Sequence, residues 1–162
     1  MASFHVIFWR HAEAEDAPGS AQGSADDLSR SLTRQGRRDA AKVAAWIKSQ
    51  LPKPWTVLSS PALRARQTAQ HLTDYPVEEV RLRPDNTLDD LLGIVSEFPR
   101  EQGGLVLVGH QPTLGRAALH WLTGVDQQFS LRKNGLIWAV ERSRDVGVHR
   151  SLRACISADL LD

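Results

Sequence analysis

The sequence predicts a three-layer α/β/α sandwich built on a mostly parallel central sheet. Three observations carry this reading. Strand-like runs alternate with helix-like segments along the chain, the pattern of helices covering both faces of a sheet. The run Leu105-Val106-Leu107-Val108 is aliphatic at every position, as a strand buried on both faces requires. The apolar run Phe4-His5-Val6-Ile7-Phe8-Trp9 reads as a buried first strand and stops at the polar pair Arg10-His11.

Each element follows from local chemistry. Residues 14–31, rich in Ala, Gly, Ser and Asp, read as a long loop, a length that in compact domains is often functional. A helix follows with Thr33 as N-cap; Ala40, Val43, Ala44, Ile47 and Leu51 keep helical spacing until Pro52 and Pro54 stop it. Thr56-Val57-Leu58-Ser59 is a short strand. Ser60-Pro61 then reads as the start of the next helix, with Ser as N-cap and Pro at the favoured first position. Val80 to Arg83 reads as another short strand, and residues 88–98 as a helix ending at Pro99. Gln111-Pro112 opens a helix whose Leu114, Ala118, Trp121 and Leu122 share a face before Gly124 caps it. Leu136 to Val140 and a segment near Leu152 to Ile156 complete the sheet.

Length and composition narrow the classes. A chain of 162 residues suits one domain with a sizeable core, here 41% apolar and 24% charged. A formal charge of +1 supplies no global field for nucleic acid or an anionic membrane, so neither partner is expected. The five tryptophans show no base-stacking pattern and read as core or rim. Arg heavily outnumbers Lys, which leans towards bidentate recognition of oxyanions. The single cysteine, Cys155, excludes an intrachain disulfide and a multi-Cys zinc site, and its apolar setting suggests a buried structural thiol. No apolar run approaches the ~18 residues of a membrane span. No secretory signal is visible either, so a cytoplasmic protein is expected.

The chemistry collects at three strand-to-helix junctions. Arg10-His11 follows the first strand, Arg64 lies in the first helical turn after Thr56–Ser59, and Gly109-His110 follows Leu105–Val108. If the strands are parallel neighbours, all three open on one sheet edge, and two are helix N-termini that favour an anion. Two arginines, two histidines and helix dipoles suit phosphate. For Arg10-His11 alone, the bland alternative is a strand ending in two solvated residues. A metal site of His11, His110 and Glu13 is disfavoured because the arginines repel a cation, and no metal or cofactor is expected. His5 reads as a packed or edge residue; His71 and His120 lie in helices and His149 in a turn, none with a functional reading. Arg34, Arg37, Arg38 and Lys42 form a solvated helix face that an acidic partner surface would also suit.

Four segments occur in order: Arg10-His11-Ala12-Glu13, Leu32-Thr33-Arg34-Gln35-Gly36, Ser59 through Thr68 (SSPALRARQT), and Val108-Gly109-His110-Gln111-Pro112. Together they resemble the histidine phosphatase, or phosphoglycerate mutase-like, superfamily over residues 4 to about 122. A short chain without an inserted cap subdomain, a single domain over 1–162, looks most like the SixA-type phosphohistidine phosphatases. The resemblance implies that His11 is a nucleophile that becomes transiently phosphorylated, while Arg10, Arg64 and His110 bind the phosphoryl group.

The physics fits those roles. A neutral imidazole attacks phosphorus without a metal when cations clamp the oxygens. Neighbouring arginines should lower the His11 pKa, and a bound dianion should raise that of His110. Two departures stand out. Ala12 occupies the position where the family usually has Gly. The segment 83–90, where ester-cleaving members carry a carboxylic acid, has no clear match; Asp85, Asp89 and Glu13 are the possible general acids, each also readable as a solvated loop carboxylate. An alkoxide leaving group needs a proton and a phosphohistidine imidazole does not, so the expected substrate is a phosphohistidine on a signalling or phosphotransfer protein. The alternatives are small phosphomonoesters or nucleotides, and a non-catalytic module that binds phosphate or a phosphoprotein.

Overall fold

Strand β1 (Ser3–Arg10) is the pivot of the sheet in the computed structural model, which describes residues 3–161. On one side it pairs in parallel with β4 (Gly104–Gly109), and beyond β4 lie the parallel β2 (Trp55–Ser59) and the two-residue β3 (Val77–Glu78). On its other side come β5 (Leu136–Arg144) and β6 (Gly147–Ile156), both antiparallel to their neighbours. The order is β3-β2-β4-β1-β5-β6, a mixed sheet whose parallel half contains the three expected neighbours.

Alternation along the central strands sends successive side chains to opposite faces. Val6, Phe8, Leu105 and Leu107 pack under α4 (Leu88–Glu97) and α5 (Thr113–Thr123), meeting Leu91, Ile94, Leu114 and Trp121. Ile7, Trp9, Val106 and Val108 face α2 (Arg34–Gln50) and α3 (Leu63–Gln70), meeting Val43, Ile47, Ala65 and Ala69. This is the three-layer sandwich the sequence implies, with the apolar spacing of α2 and α5 as read.

The helix starts explain where the site lies. Thr33 Oγ1 accepts the Gly36 N–H at 2.9 Å and caps α2. A Cβ on Gly36 would stand 2.1 Å from the Glu13 carbonyl oxygen, so only glycine lets this first turn press on the chain just after His11. Gly124 closes α5 at φ 78°, a conformation that needs no Cβ.

Several expectations need correction. Val80–Leu82 is a 3-10 turn, because Glu79 folds back to accept the Arg81 N–H; the strand is Val77–Glu78 just before it. Ser60 does not cap α3. The helix begins at Leu63 after Ala62, and Ser60 Oγ instead accepts the Ala62 N–H inside the preceding turn. Residues 14–31 are not wholly irregular: Ala14 bridges Leu32, and α1 (Ala25–Leu28) forms with Ser24 as its cap. The β5–β6 hairpin runs past Val140 and starts before Leu152, placing His149 on a strand. Its outer half is exposed, with Val146 and Val148 standing among polar residues, so no period-two pattern marks it. Cys155 is exposed rather than buried, since β6 is the sheet edge. No helix among the described residues is long and apolar enough to cross a membrane.

Candidate active site

β1, β4 and β2 end together. Arg10 pairs with Gly109 and Ser59 with Val108, and the ladder runs one residue further through His11 N–H to Gly109 O at 3.1 Å and Ser60 N–H to Val108 O at 3.0 Å. His11, His110 and Ser60 therefore leave the sheet at the same edge, and α3 adds Arg64 from its first turn. A cavity of about 220 Å³ opens there. Arg10, His11, Arg64 and His110 all line it, together with Asp27 and Arg30 from residues 14–31. Gln22, Pro84, Gln111 and Lys133 complete most of the wall.

The His11 ring is held in one tautomer. Its Nδ1 lies 2.7 Å from the Ala12 carbonyl oxygen, which can only accept, so Nδ1 carries the hydrogen and Nε2 keeps its lone pair. The peptide is fixed in turn: Ala12 N–H donates to Thr68 Oγ1 at 3.0 Å, and Thr68 donates to the Arg64 carbonyl at 2.8 Å. On the other side Asn134 N–H donates to the His11 carbonyl at 3.0 Å. Asn134 has φ 62°, and its Oδ1 accepts from Trp9 Nε1 at 2.8 Å. Among the described non-glycine residues only Asn134 has a positive φ, so Ala12 is unstrained; its methyl packs with Leu32 and Ala40. The family's glycine is not required by backbone conformation here.

His11 is 8% and His110 4% exposed, their ring centroids 5.0 Å apart. Burial is the main reason the His11 pKa falls to about 3; its bond to Ala12 opposes this, while Arg64, Arg10 and Arg30 add to it. The sequence reading credited the arginines first, and desolvation outweighs them. His110 falls to about 2, again mainly by burial, then through His11 and the arginines. Both rings are neutral at pH 7. His110 Nε2 lies 2.8 Å from Ser60 Oγ, a hydroxyl that can donate to a neutral ring or accept from a protonated one.

The arginines are anchored but not used up. Arg10 donates Nη1 to the Leu131 carbonyl at 2.7 Å. Arg64 donates Nη1 to the Asp27 carbonyl at 2.7 Å and Nη2 to Asp27 Oδ2 at 3.3 Å. The Nε of each is buried without a partner. Such donors are costly to leave unmade, and a phosphoryl oxygen is a fitting acceptor. Asp27 also takes the Gly23 N–H at 2.9 Å and Arg30 Nη1 at 3.1 Å. Burial alone would raise its pKa, but Gly23, Arg30 and Arg64 outweigh that and hold it below the ordinary carboxylate value.

None of the three proposed acids lines the cavity. Glu13 Oε1 accepts from Thr33 Oγ1 at 2.8 Å, supporting the α2 cap. Asp85 is exposed beside Arg83 at 3.4 Å, and Asp89 lies exposed in the first turn of α4. The sequence reading missed Asp27, Arg30, Lys133 and the role of Ser60. The pair Asp27 and Arg30, spaced three apart within a long loop next to Arg10-His11, was the available signal. Lys133 had none.

Comparison with known proteins bears on the family and the fold. Residues 6–92 match the family model described as histidine phosphatase superfamily, branch 1. An uncharacterized protein of a Picosynechococcus species is 33% identical over 139 residues, 82% of each chain. The protein histidine phosphatase SixA, solved in complex with tungstate, superposes with a TM-score of 0.75 at 20% identity, covering 98% of this chain and 99% of that one. A phosphoserine phosphatase from Entamoeba histolytica, solved with 3-phosphoglyceric acid, gives a TM-score of 0.72 at 18% identity over 95% and 97%. At those identities the two structures share a fold with this chain, and the family match supports a phosphatase. With its two arginines and two histidines gathered at one sheet edge, this chain belongs to the histidine phosphatase superfamily.

Proposed function

We propose that this protein is a metal-independent phosphatase that works through a phosphohistidine intermediate on His11 and acts on phosphohistidine borne by a signalling or phosphotransfer protein. The observation that carries the reading is the state of His11: neutral, with Nδ1–H tied to Ala12 and Nε2 free, in a cavity with two arginines that hold unpartnered donors.

In the first step the Nε2 lone pair attacks phosphorus while the N–P bond breaks in a substrate ring protonated at its other nitrogen; the N–P electron pair stays on that ring, which departs as neutral imidazole. Arg10 and Arg64 spread the charge of the three transferring oxygens. In the second step water attacks phosphorus, the bond to Nε2 breaks, and inorganic phosphate leaves with Nε2 restored. His110 lies beside the transferring group, where a dianion would raise its pKa and make it a further donor with Ser60 as its acceptor.

The N–P substrate is supported by the absence of a free acid among the described residues of the lining. Asp27 is the carboxylate there, and its hydrogen bonds keep it ionised at pH 7. A phosphohistidine ring protonated at its other nitrogen leaves as a neutral imidazole, of the same kind as the nucleophile, and needs no such acid. Initial rates on a phosphohistidine protein, a sugar phosphate and p-nitrophenyl phosphate test this. The phosphohistidine donor should give the highest kcat/KM, by at least about tenfold, as expected where an ester lacks its general acid. A preference for the esters would overturn the substrate reading.

A further inference from the structure

The cavity holds more positive charge than a phosphoryl group uses. Four cations, Arg10, Arg30, Arg64 and Lys133, face one carboxylate, Asp27, and both histidines are neutral. Arg10 and Arg64 supply the buried, unpartnered donors that suit the phosphoryl oxygens. The other two stand further out. Arg30 is a quarter exposed; it gives Nη1 to Asp27 and Nε to the Glu15 carbonyl at 2.6 Å. A single carboxylate shared with Arg64 does not neutralise both guanidinium groups. Lys133 is exposed and makes no salt bridge among the described residues. Its backbone is nonetheless well placed: neighbouring Asn134 binds the His11 carbonyl, and Leu131 holds Arg10. A lysine head on a fixed base at the cavity wall is a poor candidate for packing and a good one for an anion.

We infer that Lys133, with Arg30, binds a second anionic group of the substrate, a carboxylate close to the phosphoryl group. This rests on the phosphatase reading above and adds a specificity to it. The carboxylate has two chemical sources: an acidic side chain flanking a phosphorylated residue of a protein, or the acid group of a small phosphorylated carboxylate. Both present the same anion to the same cations.

Binding of non-hydrolysable anions tests the subsite without requiring turnover. Phosphonoacetate carries a carboxylate beside the phosphonate, and ethylphosphonate does not. By calorimetry the wild type should bind phosphonoacetate about five- to tenfold more tightly, the scale of one net hydrogen bond. That advantage should shrink as salt rises. In Lys133→Gln it should fall below about twofold, and in Lys133→Glu it should reverse. Equal affinity for the two anions, failure to bind either, or an advantage unchanged in Lys133→Gln would overturn the inference.

Turnover then separates the sources, and shows independently whether the phosphatase reading holds. Phosphohistidyl peptides flanked by Asp or by Asn form one pair, phosphoglycolate and ethyl phosphate the other. A Lys133-dependent preference for the acidic member of the first pair assigns the carboxylate to a protein, and of the second to a small molecule. Hydrolysis with no preference in either pair would also overturn the inference. Absence of hydrolysis beside intact phosphonoacetate selectivity would instead overturn the phosphatase reading.

Discussion

Two carboxylates in this molecule are each gripped by two arginines, with opposite consequences. Glu141 on β5 receives Arg100 Nε at 2.8 Å and Arg150 Nε at 3.0 Å. Both guanidinium groups also lie over aromatic rings, Arg100 4.1 Å from the Phe4 centroid and Arg150 4.3 Å from that of Trp121. Both donate further to backbone carbonyls, and no polar atom of the trio is buried without a partner. Asp27 receives Arg64 and Arg30, yet Arg64 Nε stays buried and unpartnered, and Arg64 lines the cavity with the two histidines. The first cluster finishes its own hydrogen bonding and ties the antiparallel half of the sheet to α4 and α5. The second stops short, and the unfinished donors are those a phosphoryl group would complete. Between these two clusters, unfinished hydrogen bonding marks the site and the size of the cleft does not. The larger cleft, about 690 Å³ beside Trp121, Arg100 and Arg150, lies at the finished cluster instead.

Breaking each cluster should sharpen the contrast. Arg64→Met removes a clamp on the transferring oxygens, and kcat/KM on a phosphohistidine donor should fall about 1,000-fold, the scale for losing one oxyanion donor. Asp27→Asn keeps the Arg64 side chain but loosens its orientation, so kcat should fall about tenfold. Glu141→Gln should leave steady-state kinetics unchanged. Its cost falls on stability: urea unfolding should show a loss of about 1–2 kcal/mol, less than for a fully buried pair because both arginines are about one-third exposed. Kinetic loss in Glu141→Gln comparable to that in Asp27→Asn would erase the distinction between the clusters.

The buried histidines predict a pH signature. His11 titrates near 3 and His110 near 2 when folded, but near 6.5 when unfolded. Between those values the unfolded chain binds protons that the native state does not, so stability drops as pH falls below 6.5. Each histidine contributes up to about 1.4 kcal/mol per pH unit in that window. The same shift keeps the His11 nucleophile neutral in mild acid. The acid limb of kcat/KM, followed over the pH range where the fold persists, should therefore lie below 6.5. Replacing His110 by Gln should lessen the pH dependence of stability measured in urea.

Much of this was legible in the sequence, because the central strands announce themselves. β1 and β4 are largely apolar runs, and the polar residues at their ends, Arg10-His11 and His110, point to the same sheet edge. Arg10, His11 and His110 were readable for that reason, and Arg64 from its place in the first turn of the helix after β2. Ser60 was misread because Ser-Pro is a good helix start on propensity alone, while tertiary pairing with Val108 and His110 put the turn first. Asp27, Arg30 and Lys133 reach the cavity from segments without periodic pattern, so only the folded chain brings them to it. The outer β5–β6 hairpin lacks alternation because neither face is covered.

The most direct test of the account is the phosphoenzyme. After rapid quench with a phosphohistidine donor, acid-labile and base-stable phosphate should be recovered on the wild type and mapped to His11, and His11→Ala should show neither label nor turnover. Turnover by wild type with no phosphate on His11 at any quench time, or normal turnover by His11→Ala, would contradict it.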